Sequence, residues 1–289
     1  MKAGQRSRTA DAVAAVRAAH LLYDRPVVFE DPFAIHLTSF AWRTIGKSRV
    51  LHWLVRRIFR ALRPVHAQIL ARSRYAEEKL EEAVARGIDQ YVLLGAGLDS
   101  FALRRRDLAS KLTVYELDHP ESQASKRKRL ARCGIDLPNN LALIAVDFEQ
   151  ETVADALTRS SYARERPAFF SWLGTTVYLP REAVFGTLEA LARFAAPGSE
   201  VVLTYLVPIE LVKPGDREAV EKAARFAARR GEPWVSFFDP HLFPEEVCTL
   251  GFELIENLSP QEQRARYFAA RTDNLCPLSS AYFVHFRAR

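Results

Sequence analysis

The 289-residue chain is 48% hydrophobic and carries 41 Lys/Arg against 35 Asp/Glu, a composition that predicts an ordinary soluble globular protein with a sizeable core, in one large domain or two small ones. Cys133, Cys248 and Cys276 are odd in number and lack the close pairing of a zinc site or redox motif, which predicts reduced thiols, a cytoplasmic setting and no metal. No apolar run approaches the roughly 18 residues of a spanning helix and none precedes a leader-type cleavage site, so neither export nor membrane insertion is expected.

Residues 1–75 hold 14 Lys/Arg against 4 Asp/Glu, and the remainder 27 against 31. Such a clustered positive field suits an anionic substrate, a nucleic acid or a membrane surface, or is a solvated basic helix. Residues 10–22 are Ala-rich with helical spacing, and Asp31-Pro32 breaks the chain after them. From about 50 to 86 two amphipathic helices follow, separated or kinked at Pro64 and ended by Gly87. Short apolar runs then alternate with helical stretches, the pattern of parallel βαβ units. Strands are expected near 90–95, 113–118, 141–147, 168–173 and 200–206, with a helix from Arg181 to Ala195 stopped by Ala196-Pro197-Gly198. Residues 208–243 combine a charged helix with an aromatic, Pro-containing loop and read as an insertion over the sheet. A helix near 244–250 and strands at Phe252–Leu258 and Ala281–Arg287 complete the chain. The expected organisation is one domain with a helical cap at 1–87, a cofactor-binding core at 88–206, a lid at 207–243 and the end of the sheet at 244–289.

The strongest local motif is Tyr91-Val-Leu-Leu-Gly95-Ala96-Gly97-Leu98-Asp99-Ser100, an apolar strand running into a glycine turn. Glycines there let the backbone approach a nucleotide-like ligand, although a structural turn would use them too. Ser100 stands where a dinucleotide fingerprint has its third glycine, which weakens an NAD reading. At the next strand end, Glu116 and Asp118 alternate with Leu117 and share one face. Two carboxylates there are costly unless something binds them, and Asp118, 21 residues beyond Gly97, has the spacing of an acid that meets ribose hydroxyls. After the third strand, Asp147-Phe148 offers a carboxylate for an adenine amine and a ring to frame the base. Three strand ends suited to a nucleoside without pyrophosphate favour S-adenosylmethionine over NAD.

The chain resembles the leucine carboxyl methyltransferase family, in particular its bacterial small-molecule O-methyltransferase branch. The matching segments are Arg8-Thr9-Ala10 with Arg17-Ala18, Asp31-Pro32-Phe33-Ala34, Ala71-Arg72-Ser73-Arg74-Tyr75, the glycine turn with Asp99, Glu116-Leu117-Asp118-His119-Pro120, Asp147-Phe148, Val177-Tyr178-Leu179 and Gly231-Glu232-Pro233-Trp234. The resemblance implies an α/β, Rossmann-like class I methyltransferase sheet of seven strands with a reversed last strand, an N-terminal helical cap and an insertion after the fifth strand. It implies that Arg72 holds the methionine carboxylate, with Arg17 a second candidate, that Gly95 and Gly97 line S-adenosylmethionine, that Asp118 binds ribose and Asp147 with Phe148 adenine, and that Tyr178 stands near the methyl acceptor. Many relatives have Glu five residues before that tyrosine; here it is Leu173, a departure that bears on the protein-carboxylate substrate of eukaryotic members.

The expected activity is methylation of a small-molecule carboxylate, which is ionised at neutral pH and needs no base. A phenol or alcohol would need one, and His119 and His241 are the candidates. Two other readings stay open. Arg49, Arg56, Arg57, Arg60 and Arg63 beside Trp53 and Phe59 could grip nucleic acid, yet the fourth strand lacks the Asn/Asp-Pro-Pro-aromatic turn of base methylases. Loss of the family Glu at 173 would suit a non-catalytic cofactor-binding protein. Oligomeric state is not legible.

Overall fold

The computed structural model describes residues 8–148 and 150–289, so residues 1–7 of the expected cap lie outside the described residues. Helices α1 (Arg8–Tyr23), α2 (Ala34–Leu37), α3 (Phe40–Lys47), α4 (Arg49–Ile58) and α5 (Arg63–Ala85) form the cap. The two expected helices are separate here, α4 ending at Ile58 and α5 starting at Arg63, and Pro64 sits in the first turn of α5, where its missing N–H has no helical partner to lose. Gly87, at φ 101°, ends α5. The core then alternates β1 (Gln90–Leu94), α6 (Phe101–Arg104), β2 (Thr113–Asp118), α7 (Pro120–Ala131), β3 (Leu141–Ala145), α8 (Val153–Thr158), β4 (Phe169–Trp172), α9 (Arg181–Phe194) and β5 (Glu200–Leu206). The insertion contributes α10 (Pro214–Ala228), and α11 (Leu242–Cys248), β6 (Phe252–Leu258), α12 (Pro260–Phe268) and β7 (Ala281–Ala288) follow.

The seven strands lie in the order β3-β2-β1-β4-β5-β7-β6. The first five are parallel, and β7 runs antiparallel between β5 and β6. Alternation along each strand divides the core between two faces. Val92, Leu94, Phe170 and Trp172 pack with Val184, Leu188 and Leu191 of α9. Tyr91, Leu93, Val114 and Phe169 pack with Leu70, Tyr75 and Leu80 of α5 on the other side.

Parallel pairing has a functional consequence. It puts the C-terminal ends of β1 to β5 along one edge, and the strand order reverses between β1 and β4, which opens a crevice for a ligand at that edge. Helices α1, α3, α4 and α10 line a cavity that reaches this edge, whereas α5 covers a face of the sheet.

Candidate active site

The turn after β1 is held to its neighbour by main-chain bonds from Gly95 and Ala96 N–H to the Leu117 carbonyl at 2.9 and 3.1 Å. Gly95 and Gly97 have φ of 70° and 55°, left-handed values that side chains with a β-carbon resist. A β-carbon on Gly95 would also lie 2.9 Å from Thr175 Cγ2, so the β1 and β4 turns close on one another. Asp118 Oδ2 accepts the Gly97 N–H, and Oδ1 accepts that of His119 at 2.6 Å. Its carboxylate thus braces the glycine turn from the end of β2. Asp147 stands two residues beyond Ala145, the register partner of Asp118, and accepts from Gln150 Nε2 at 3.0 Å. Phe148 beside it is exposed.

The two candidate arginines have different surroundings. Arg17 is buried, donates to the Leu98 carbonyl at 2.5 Å and lies 3.3 Å from Asp31 and 3.7 Å from Asp99. Protein groups engage it, and it fastens α1 across the glycine loop. Arg72, on α5, has no carboxylate partner among the described residues. Its guanidinium rests on Gly174, at φ 71°, where a β-carbon would lie 2.0 Å from Nη1. Burial, with Arg17 nearby, lowers the Arg72 guanidinium to about 10, so it is charged at neutral pH.

Tyr178 follows β4 in a 3₁₀ turn, Thr176–Tyr178. The segment after α10 fixes this turn: Val235 N–H donates to the Val177 carbonyl at 2.8 Å, and Ser236 Oγ to that of Leu179 at 2.5 Å. Burial raises the Tyr178 phenol, the Glu232 carboxylate adds to the rise and Arg72 opposes it. The Thr9 and Trp234 side chains turn to the Tyr178 phenol, while two buried polar atoms in this neighbourhood, Thr175 Oγ1 and Glu232 Oε2, lack a hydrogen-bond partner among the described residues. Buried polar groups are rarely left unpaired, and a cluster of them marks a place where a polar ligand completes the bonding.

A cavity of about 270 Å³ opens from Arg72, Gly174 and Tyr178 and runs beneath α1, α3 and α4 to α10. Its wall is mostly apolar, with Val16, Ile69, Val177 and Phe226 among the lining. Asp24 is the single carboxylate on the wall among the described residues, and it is taken up by Arg56 at 2.8 Å and His20 at 3.0 Å. Arg56, Arg63, Arg72 and Arg230 also line the wall, and with Arg56 paired to Asp24 and Arg63 to Asp273 a modest positive bias is left. His66 also faces it, and burial pushes this imidazole down to about 4.

A model of leucine carboxyl methyltransferases matches residues 10–192. The chain belongs to the leucine carboxyl methyltransferase family. It is 30% identical over 99% of both chains to Bacillus subtilis YktD, named as an S-adenosyl-L-methionine-dependent methyltransferase. It is 32% identical to a Mycolicibacterium paratuberculosis protein so named, over 67% of this chain and 62% of that one. Crystal structures of a DUF574-family protein from Streptomyces avermitilis and a methyltransferase from Thermobifida fusca superpose with TM-scores of 0.61 at 18% identity, covering 95% and 96% of this chain and 97% and 94% of theirs. The chain is a methyltransferase with the class I fold, and the reversed β7 is the one the resemblance implies.

Within this methyltransferase, the strand-end residues Gly95, Gly97, Asp118 and Asp147 gather at one edge, while Arg72 and Tyr178 meet where that edge opens into the cavity. Glu116 is a correction. It does not await a ligand, because it is buried against the Lys126 ammonium of α7, which offsets the charge. His119 caps α7 and His241 is exposed, and neither lines the cavity. The basic face expected on the cap is also split: Arg56 turns inward to Asp24, and Arg63 pairs with Asp273 at 2.8 Å. Gly174 and His66 were missed by sequence reasoning. The Gly-Thr-Thr turn after β4 was a signal for the first; nothing local distinguished His66. Leu173 packs against the core on the α5 face.

Proposed function

We propose that this methyltransferase transfers the methyl group of S-adenosylmethionine to a carboxylate oxygen of a small, largely apolar acid. The carrying observation is the cavity beside Arg72 and Tyr178, apolar over most of its wall, positively biased, and with Asp24, the one carboxylate on its wall among the described residues, already paired with Arg56. An acid gains from that field, whereas an amine cation would be repelled.

The residues at the sheet edge fit the cofactor. Arg72, without a protein carboxylate, would take the methionine carboxylate, and Arg17 would position the loop over the glycine turn. Asp118 would reach ribose while bracing Gly97, and Asp147 with Phe148 would frame adenine. Bound there, S-adenosylmethionine supplies an electrophilic sulfonium methyl. The chain's part is to align the acceptor and exclude water. Tyr178, its phenol kept protonated by burial, would donate a hydrogen bond to the acceptor. His66, at about 4, is too weak a base to deprotonate a phenol near pKa 10, which suits an acceptor already ionised. A cytoplasmic setting, where free thiols persist, is part of the proposal.

A methyl-transfer screen over aliphatic acids, aromatic acids, phenols and amines, with products identified by mass spectrometry, tests this reading. Methyl esters are expected. N-methyl products or ethers would refute the acceptor, and tight cofactor binding with no turnover on any panel member would refute transfer itself.

A further inference from the structure

The helix above the cavity has two different faces. On its inner side α4 contributes His52, Val55 and Arg56 to the cavity wall. On its outer side Val50, Leu54 and Ile58 recur at i, i+4, i+8 and form an apolar stripe. Val50 is 74% exposed, Ile58 66% and the adjoining Trp53 60%, so no described part of the chain covers them. Arg49, Arg57 and Arg60 flank the stripe and are exposed, with the Arg57 guanidinium 5.8 Å from the Trp53 ring. No Asp or Glu occurs between Asp31 and Glu77, across nine Lys/Arg.

We propose that α4 docks the protein on anionic lipid bilayers, its apolar stripe and Trp53 entering the headgroup boundary and Arg49, Arg57 and Arg60 meeting lipid phosphates. An apolar stripe edged by arginines, with an amphipathic Trp beside it, is the pattern of an interfacial helix that lies on a membrane without crossing it. The charge selects this occupant over a second copy of the chain. An isologous contact through α4 would bring its arginines against their equivalents, with no carboxylate in the segment to neutralise them. Aliphatic side chains at Val50, Leu54 and Ile58 offer nothing to nucleic-acid bases, so the stripe itself argues against RNA or DNA. Because the inner side of α4 walls the cavity, docking would set the cavity near the lipid surface, but docking does not depend on the acceptor being an acid.

The test is co-sedimentation of the full chain with phosphatidylcholine vesicles, alone or mixed with phosphatidylglycerol. Binding to the mixed vesicles is expected, with a blue shift of Trp emission that Trp53→Phe removes, and weakening as salt shortens the screening length below about 8 Å. Leu54→Asp should abolish binding. Arg57→Ala with Arg60→Ala should weaken it roughly 25-fold, at roughly fivefold for each arginine near an anionic surface. Unchanged circular dichroism and cofactor affinity establish that these surface variants are folded. The proposal is overturned if neither vesicle binds, if Leu54→Asp binds like the parent, or if Leu54→Asp instead dissolves a dimer or releases RNA from a chain that ignores vesicles.

Discussion

The Arg72 guanidinium fills the space that a side chain on Gly174 would need, with Nη1 2.0 Å from the position of a β-carbon there. Glycine at this turn thus serves the arginine as well as its own left-handed backbone. The relationship joins a cap helix to the end of β4, at the mouth of the cavity.

Gly174→Ala is accordingly expected to displace Arg72. A charged hydrogen bond to a ligand carboxylate is worth about 1.5–3 kcal/mol, so S-adenosylmethionine affinity should fall roughly tenfold or more, read by calorimetry. The left-handed backbone adds a stability loss of roughly 1–2 kcal/mol. A folded variant that binds as tightly as the parent would remove Arg72 from the cofactor site.

Asp118→Ala removes both the proposed ribose contact and the brace on Gly97. Cofactor affinity should again drop about tenfold or more, since charge-assisted hydrogen bonds are lost. Asp118→Asn keeps one acceptor oxygen and should fall between the two. Equal affinities across the three proteins would contradict the assignment.

Glu116 and Lys126 form a buried pair, with burial raising the Glu116 carboxyl and Lys126 opposing the rise. Removing one partner of such a pair strands a charge and costs about 3–5 kcal/mol. Glu116→Leu should show that loss in urea denaturation while any folded fraction binds cofactor nearly as before. A large affinity loss with unchanged stability would return Glu116 to the ligand site.

The acceptor reading makes a pH prediction. His66 lies at about 4 and Arg72 at about 10, and the Tyr178 phenol is raised, so none of these three changes charge near neutrality. With an ionised acid as acceptor, the rate should stay flat from about pH 6 to 8. A rate that climbs through this window would indicate a hydroxyl acceptor.

Stability should follow His66 in the opposite region. Its folded pKa, about 4, lies below the unfolded value of 6.5, so between them the unfolded chain binds more protons. His66 therefore weakens the fold as pH falls from 6.5 towards 4, with no such effect above the unfolded value. His66→Gln should lose less melting temperature than the parent on acidification from neutrality to about pH 5. Parallel losses in the two proteins would show that His66 does not carry this dependence.

The strands, the glycine turn, the helix of the insertion and the Gly97–Asp118 spacing were legible because each is written in neighbouring residues: a period of two or 3.6, a glycine or proline, a fixed count along one βα unit. Helix α12 carried its own signal in the Ser259–Glu262 capping box, yet its mostly polar run hid it from a search for apolar periodicity. Side-chain roles were decided elsewhere. Arg17 and Arg72 look alike in sequence, and only packing gives the first Asp31 and Asp99 while leaving the second without a carboxylate. Glu116 is neutralised by a lysine on the next helix, Arg56 turns inward to Asp24, and His66 faces a cavity built from the N-terminal helices, the sheet and the insertion. Periodicity and turn chemistry act over a few bonds, so the sequence alone determined the elements and the edge at which the glycine turn and strand-end acids would meet. Ion pairing and burial depend on residues such as Arg17 and Leu98, 81 positions apart, so only the tertiary structure decided which charges are spent on the fold and which remain to meet a ligand.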